Sequence, residues 1–157
     1  VSDGVETPVT SRAGLDATAQ LTVDLIDQAV AQLKVQNADP IGSAGGSYVC
    51  EVDGRVVATF AFLPGPDECY DVIEDGQWRS DTPYAVLHRV ASDGTVHGIA
   101  AAMFAFAKER ADHLRIDTHA DNLPMQDASM KAGFERAGVV YVSDGTPRVA
   151  FDWLREA

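Results

Sequence analysis

The chain is 157 residues long, which fits one domain better than two and is enough to bury about 70% of the surface its unfolded form exposes. Hydrophobic residues make up 46% and charged residues 23%, which argues against disorder over most of its length. Twenty-four Asp and Glu against 12 Lys and Arg leave a net charge of −12. That argues against a nucleic-acid partner, because phosphate binding needs a basic face.

A small anion held by local backbone dipoles stays open. The negative balance mildly favours a cationic substrate, with plain solubility the preferred reason. Cys50 and Cys69 make no disulfide framework and read as free thiols of a reducing compartment. No apolar run approaches the ~20 residues of a membrane helix. Val1-Ser2-Asp3-Gly4 lacks the basic start and apolar stretch of a signal peptide. The expectation is a cytoplasmic chain with no membrane partner.

Residues 1–157 read as a single domain, with 1–15, rich in Ser, Thr, Gly and Asp, as a loose lead-in. A helix is predicted from Asp16 to about Val35, with Leu21, Leu25, Ile26, Ala29, Val30 and Leu33 on one stripe. Pro40 and the neighbouring glycines stop it. Ser47–Val52 and Arg55–Leu63 are β-rich runs around Asp53-Gly54, a strong hairpin signal. Pro64-Gly65-Pro66-Asp67 breaks the chain, and 67–83 reads as a long acidic loop with one helical turn. Tyr84–Ala91 is predicted as a central strand, Ser92–Thr95 as a turn and Val96 to about Arg110 as a helix.

Leu114–His119 is the next strand. A further helix follows, capped by Asp121-Asn122, with Pro124 in its first turn and Gly133 as its stop. Val139–Val142 and Arg148–Leu154 close the chain as two strands around a Ser-Asp-Gly-Thr turn. Strand–helix–strand in the middle implies parallel pairing, and the two ends imply antiparallel pairing. The expected class is α/β, a mixed sheet with helices on both faces.

Chemistry concentrates in two segments. Leu87–Ala100 is a strand, a tight turn and a helix start with Gly98 near the entry. The first N–H groups of a helix lack internal partners and carry partial positive charge. A glycine there admits a close ligand. This suits a pyrophosphate, although for this segment taken alone a simple helix entry capped by Thr95 is the preferred reading. Arg115–Gln126 again puts polar groups at the carboxyl end of a strand, where open α/β sheets bind ligands. Asn122 serves either as helix cap or as an amide partner for a ligand.

Together these segments resemble the GNAT family of N-acetyltransferases. The likeness rests on Leu87-His88-Arg89-Val90-Ala91 feeding Val96-His97-Gly98-Ile99-Ala100, on Ile116–His119 with Asp121-Asn122-x-Pro124-Met125-Gln126, and on Lys131-x-Gly133-Phe134 leading to Val140–Arg148. It covers about residues 47–154 and the first helix. The resemblance implies a mostly antiparallel central sheet with a parallel, splayed strand pair. It also implies acetyl-CoA as cosubstrate, acyl transfer to an amine, and a homodimer. Carried over by position, Val90, Ala91 and Ser92 would bond the pantetheine arm through their backbones. Thr95, Val96, His97, Gly98, Ile99, Ala100 and Ala101 would supply pyrophosphate-binding amides, and Asn122 would touch the arm.

The sequence departs from the pattern at four places. Thr95 stands where the family has Arg or Gln, and the turn from Ser92 to Gly98 is short. Ser129 occupies the place of a Tyr that protonates the departing thiolate. The segment before Ser47 is short for a second helix.

Acyl transfer needs a neutral amine, hence a base, and a thioester is reactive enough to be attacked directly. His88 on the central strand is the first choice, with the ordinary imidazole range suited to the task. A structural role in the core is the competing reading. His119, at a strand end and on the face of Asp117, is second. Tyr141 is the replacement acid, with packing as its alternative role. His97 is placed near phosphate, and His113 at a helix end is read as solvated. Cys69, beside Asp67 and Glu68, is a poor nucleophile because those charges disfavour its thiolate. No metal-ligand spacing occurs, so no metal is expected. Glu68, Asp71, Glu74 and Asp75 around Tyr70 and Trp78 read as a solvated face, or as a seat for a cationic acceptor aided by the rings. The expected activity is acetyl transfer from acetyl-CoA to a primary amine of a small-molecule or amino-acid-like acceptor. The alternative is a non-catalytic acyl-CoA-binding sensor or interaction module.

Overall fold

The computed structural model describes residues 34–37 and 46–157. In chain order the elements are β1 (Lys34–Asn37), β2 (Ser47–Val52), β3 (Arg55–Pro64), a one-turn 3₁₀ helix (Glu68–Tyr70), β4 (Ala85–Ser92), α1 (Ile99–Lys108), β5 (His113–Thr118), α2 (Leu123–Lys131), β6 (Glu135–Tyr141) and β7 (Pro147–Leu154). The seven strands form one sheet in the order β1-β2-β3-β4-β5-β7-β6. Every pair is antiparallel except β4 and β5. This is the mixed, mostly antiparallel sheet with one parallel pair.

The β2–β3 turn holds Asp53 and Gly54 at φ 51 and 76, the left-handed geometry that this dipeptide favours in a hairpin. Asp53-Gly54 therefore fixes where β2 and β3 begin to pair, Val52 with Arg55. The crossover from β4 to β5 runs through α1. That helix starts at Ile99, three residues later than the sequence pattern suggests, because 93–98 are spent on an irregular turn. α2 keeps the expected limits: Asn122 caps it and Gly133 ends it at φ 87. β6 begins at Glu135 rather than Val139, since pairing with β7 carries it back to the end of the α2 turn.

Both described helices lie against one face of the sheet. Period-2 alternation sends Ala85 and Leu87 of β4 and Leu114 and Ile116 of β5 to that face, where they meet Met103, Phe104 and Phe106 of α1 and Phe134. The opposite face carries a smaller cluster of Val86, Val140 and Ala150 under Tyr70, Trp78 and Tyr84. Among the described residues this face is covered by the 65–84 segment. The helix predicted over 16–35 lies almost wholly outside the described residues. Its last two positions, Lys34 and Val35, belong instead to β1 and pair with Glu51 and Cys50 of β2. Among the described residues, no helix is long and apolar enough to cross a membrane.

Candidate active site

The parallel pair is short. β4 and β5 are matched only at Ala85 with Leu114 and Val86 with Arg115. Beyond those residues β5 stays with β7 up to Thr118, and β4 stays with β3 up to Ser92. The two strands therefore part like a V. Among the described residues, the β4 edge turned toward β5 has no strand partner from Leu87 onward. An extra residue on β4 between His88 and Ala91, with Arg89 at φ 53, forms a bulge against β3. Bulges bend a strand and increase its twist, which accounts for the divergence. The unpaired edge spans Val90, Ala91 and Ser92, the residues for which the family resemblance implies pantetheine contacts.

At the open end of the V stands the N-terminus of α1. Gly98 is its N-cap residue at φ 84 and ψ 9, with no side-chain cap. The Thr95 cap considered from sequence does not form: the Thr95 hydroxyl donates to Asp93 Oδ1 at 2.7 Å and receives Arg55 at 3.0 Å. Asp93 itself is held below its ordinary carboxyl value, first by the hydroxyl and then by the N–H of Thr95. The leading amides of a ten-residue helix are thus left to solvent or a ligand. Thr95, Val96 and His97 belong to the turn before the helix, Ile99, Ala100 and Ala101 to its first turn. Asn122, exposed at the start of α2, accepts from the Met125 N–H at 3.3 Å. Its capping role is the one observed.

The base of the V is chemically dense. His88 and Asp117 each lie two residues past the last matched pair, Val86 and Arg115, so both face the side of the 65–84 segment. That segment brings Asp67 and Tyr70 onto them. The Asp67 N–H donates to the Tyr84 hydroxyl oxygen at 2.9 Å, and the Gly65 N–H donates to the Tyr84 carbonyl at 2.8 Å. His88 Nε2 is 2.6 Å from Asp67 Oδ2, and His88 Nδ1 is 3.8 Å from Asp117 Oδ1. The Tyr70 hydroxyl donates to the same Asp117 oxygen at 2.6 Å. Burial would raise the Asp67 carboxyl, yet bonds from His88 and the Cys69 N–H bring it below its ordinary value. Burial, and then the charge of Asp117, push the Tyr70 phenol well above its own. At neutral pH Asp67 is an acceptor and Tyr70 a donor. His88 is 28% exposed, so it is reachable rather than sealed in the core.

The other candidates are placed elsewhere. His119 follows β5, half-exposed, and its partner is Asp121 at 3.5 Å, not Asp117, which Tyr70 occupies. Tyr141 is on the edge strand β6, with β7 and β5 between it and β4. Its hydroxyl donates to Glu74 at 2.9 Å, which raises the phenol; it is exposed, so neither a core role nor membership of the His88 cluster fits it. His113, read from sequence as solvated, is buried at 1% exposure, with Nδ1 at Thr82. The seat for an external cation between Tyr70 and Trp78 is not formed: Tyr70 is buried, and the Trp78 ring is stacked on the chain's own Arg115 at 4.2 Å. Ser129 is buried and donates to the Met125 carbonyl at 2.7 Å. Cys50 is pushed up to about 11 by burial; burial and Asp67 also raise Cys69. Both are free thiols. Among the described residues, no group of three or more His, Cys, Asp or Glu is arranged to hold a metal ion. Asp67, Tyr70 and Asp117 were not singled out with His88 in the sequence, because contacts across 21 and 47 residues leave no local pattern.

No protein-family model matches the sequence, and no curated protein matches it. Among solved structures, a GNAT-family acetyltransferase from Streptococcus agalactiae is similar with a TM-score of 0.61 and 28% identity, over 71% of this chain and 66% of that one. The match thus spans just under two thirds of the length of that protein. GNAT-family acetyltransferases from Listeria monocytogenes and Bacillus cereus share the fold at TM-scores of 0.52 and 0.51 and identities of 16% and 14%. Each match covers 90% of this chain, and 77% and 84% of the other protein respectively.

Proposed function

We propose that this chain, which has the fold of the GNAT-family acetyltransferases, transfers an acetyl group from acetyl-CoA to a primary amine of a small or amino-acid-like molecule. The observation that carries the reading is the unpaired β4 edge leading to an uncapped helix N-terminus. An amide-bearing arm can lie along such an edge as a surrogate strand, its N–H and C=O groups meeting those of Val90, Ala91 and Ser92. A diphosphate at the far end of that arm meets the amides of 98–101, where the helix dipole favours negative charge even in an acidic protein. Asn122 would face the arm with its Nδ2 donor, since its Oδ1 caps α2.

The acceptor nitrogen attacks the thioester carbonyl carbon. The N–C bond forms, the C–S bond breaks, and the coenzyme leaves as thiolate. The proton shed by the amine goes to His88 Nδ1. A free N–H on the β4 edge is suited to hold the carbonyl oxygen as it becomes negative. Tyr141 stands outside this path, so the thiolate takes its proton from water.

The test combines calorimetry with thiol release. Coenzyme A and acetyl-CoA should bind, and a panel of primary amines should include at least one that releases thiol. His88→Ala should lower that rate about 100-fold or more, the usual scale for a lost base. Binding without turnover on any amine would favour the sensor reading, and absence of binding would reject both.

A further inference from the structure

The 65–84 segment does more than cover the sheet: it delivers one carboxylate to the far side of the His88 ring. Asp67 Oδ1 accepts the Cys69 N–H at 2.9 Å, and its other oxygen lies 2.6 Å from His88 Nε2. An ionised carboxylate accepts only, so the proton between them belongs to Nε2. In a neutral imidazole the other nitrogen, Nδ1, then carries the lone pair. That nitrogen is turned toward the V and faces Asp117 Oδ1 across 3.8 Å, while Tyr70 fixes the Asp117 oxygen from behind. Two acceptors have no proton to share, and a single donor bearing two hydrogens can reach both across 3.8 Å at ordinary hydrogen-bond lengths.

We infer that Asp67 is the positioning residue for His88: by holding the Nε2 proton it points the Nδ1 lone pair at Asp117, and a primary ammonium bound between Nδ1 and Asp117 gives up its proton there. This rests on the reading of the chain as an acetyl-CoA-dependent acetyltransferase. The acceptor it selects is an amine that arrives charged. The first proton passes from nitrogen to Nδ1, the freed electron pair attacks the thioester carbon and the C–S bond breaks, and the second proton, shed as the amide forms, passes to water, from which the thiolate takes its own. The imidazolium formed in the first step sits between two carboxylates. The titratable groups against His88 are Asp67 and Tyr70 from the covering segment and Asp117 from β5, with Tyr84 behind Asp67 and Cys69 beside it.

The informative variant is Asp67→Asn. Its amide oxygen can keep the Cys69 N–H, which leaves the NH₂ group facing Nε2. Nε2 must then accept, and the ring proton moves to Nδ1, where it blocks the base. In ¹⁵N-resolved spectra of the histidine rings, the wild-type chain should show His88 protonated at Nε2 and the variant should show it protonated at Nδ1. Turnover on the responsive amine should fall about 100-fold or more through kcat, with affinity for coenzyme A unchanged as the control for folding. Asp67→Glu, which keeps the carboxylate, should restore the Nε2–H form and much of the rate.

The same tautomer in wild type and Asp67→Asn overturns the inference, and so does an unaltered kcat. Loss of the Nε2–H form in Asp67→Glu as well would also count against it. If the wild-type chain turns over no amine at all, the acetyltransferase reading fails, and the ring spectra still decide what Asp67 does.

Discussion

Gly98 shows how one residue serves two demands. Its φ of 84 lies where any L side chain is strained, at a cost of about 1–2 kcal/mol. Its missing side chain also leaves the first amides of α1 open to an anion. The two roles separate experimentally. Gly98→Ala brings the backbone strain with little bulk and should lower the melting temperature while weakening coenzyme binding only modestly. Gly98→Glu adds a carboxylate where a diphosphate is expected and should abolish binding of coenzyme A in calorimetry. Affinity equal to wild type in the Glu variant would remove the phosphate cradle from this corner. Arg55 and Asp93, both tied to Thr95, show that the turn is shaped by side chains that leave the helix amides alone.

Among the elements, α2 holds the clearest contrast between an expected group and an observed one. The phenol that the family resemblance leads one to expect is replaced by Ser129, which is fully buried and donates to the Met125 carbonyl within its own helix. This position is a packing site. Ser129→Tyr should therefore overpack it, destabilising the chain by about 1–3 kcal/mol in urea unfolding, without raising the rate of thiol release. A faster variant of unchanged stability would show that the space exists and that an acid is missing. The 65–84 segment makes the complementary point. It has almost no regular structure, yet Arg79 on Asp152 at 2.6 Å and Arg115 between the Trp78 and Tyr84 rings pin it to the sheet. It can therefore present Asp67 as firmly as a strand would.

For the whole molecule, acid sensitivity follows from what the fold buries. His113 is pushed below its ordinary value of 6.5, chiefly by burial, with the Thr82 carbonyl opposing and Arg115 assisting. The folded chain thus binds this proton more weakly than the unfolded chain does. The stability His113 contributes is complete above 6.5 and is lost as pH falls through the window beneath it. Asp67, depressed below its ordinary 3.8, acts in the same direction at more acid pH. Melting temperatures followed by circular dichroism from about pH 8 to about pH 5 should decline toward acid, and His113→Phe should flatten that decline whatever its absolute stability. Equal slopes in the two proteins would refute the assignment to His113.

Much of the architecture was readable from the residues because its causes are local. Asp53-Gly54 needs only its own dihedral preferences to turn a hairpin, Asn122 and Gly133 bracket α2 by capping chemistry, and β-rich runs mark β2 and β3 before any pairing is known. The family motifs pointed to the open edge of β4 and the helix behind it for the same reason: a strand, a turn and a glycine are contiguous. What could not be read had distant causes. β1 is a strand because β2 lies beside it, so a helical pattern running into Lys34 and Val35 misleads. β6 starts early because β7 extends it. His113 looks like a surface residue at a helix end until Tyr84 and Thr82 close over it. The surroundings of His88 exist only once Asp67, 21 residues away, and Asp117, 29 residues away, are folded to either side of its ring. Hydrogen bonds and burial act through space, and a linear chain displays only those neighbours that are also neighbours along it.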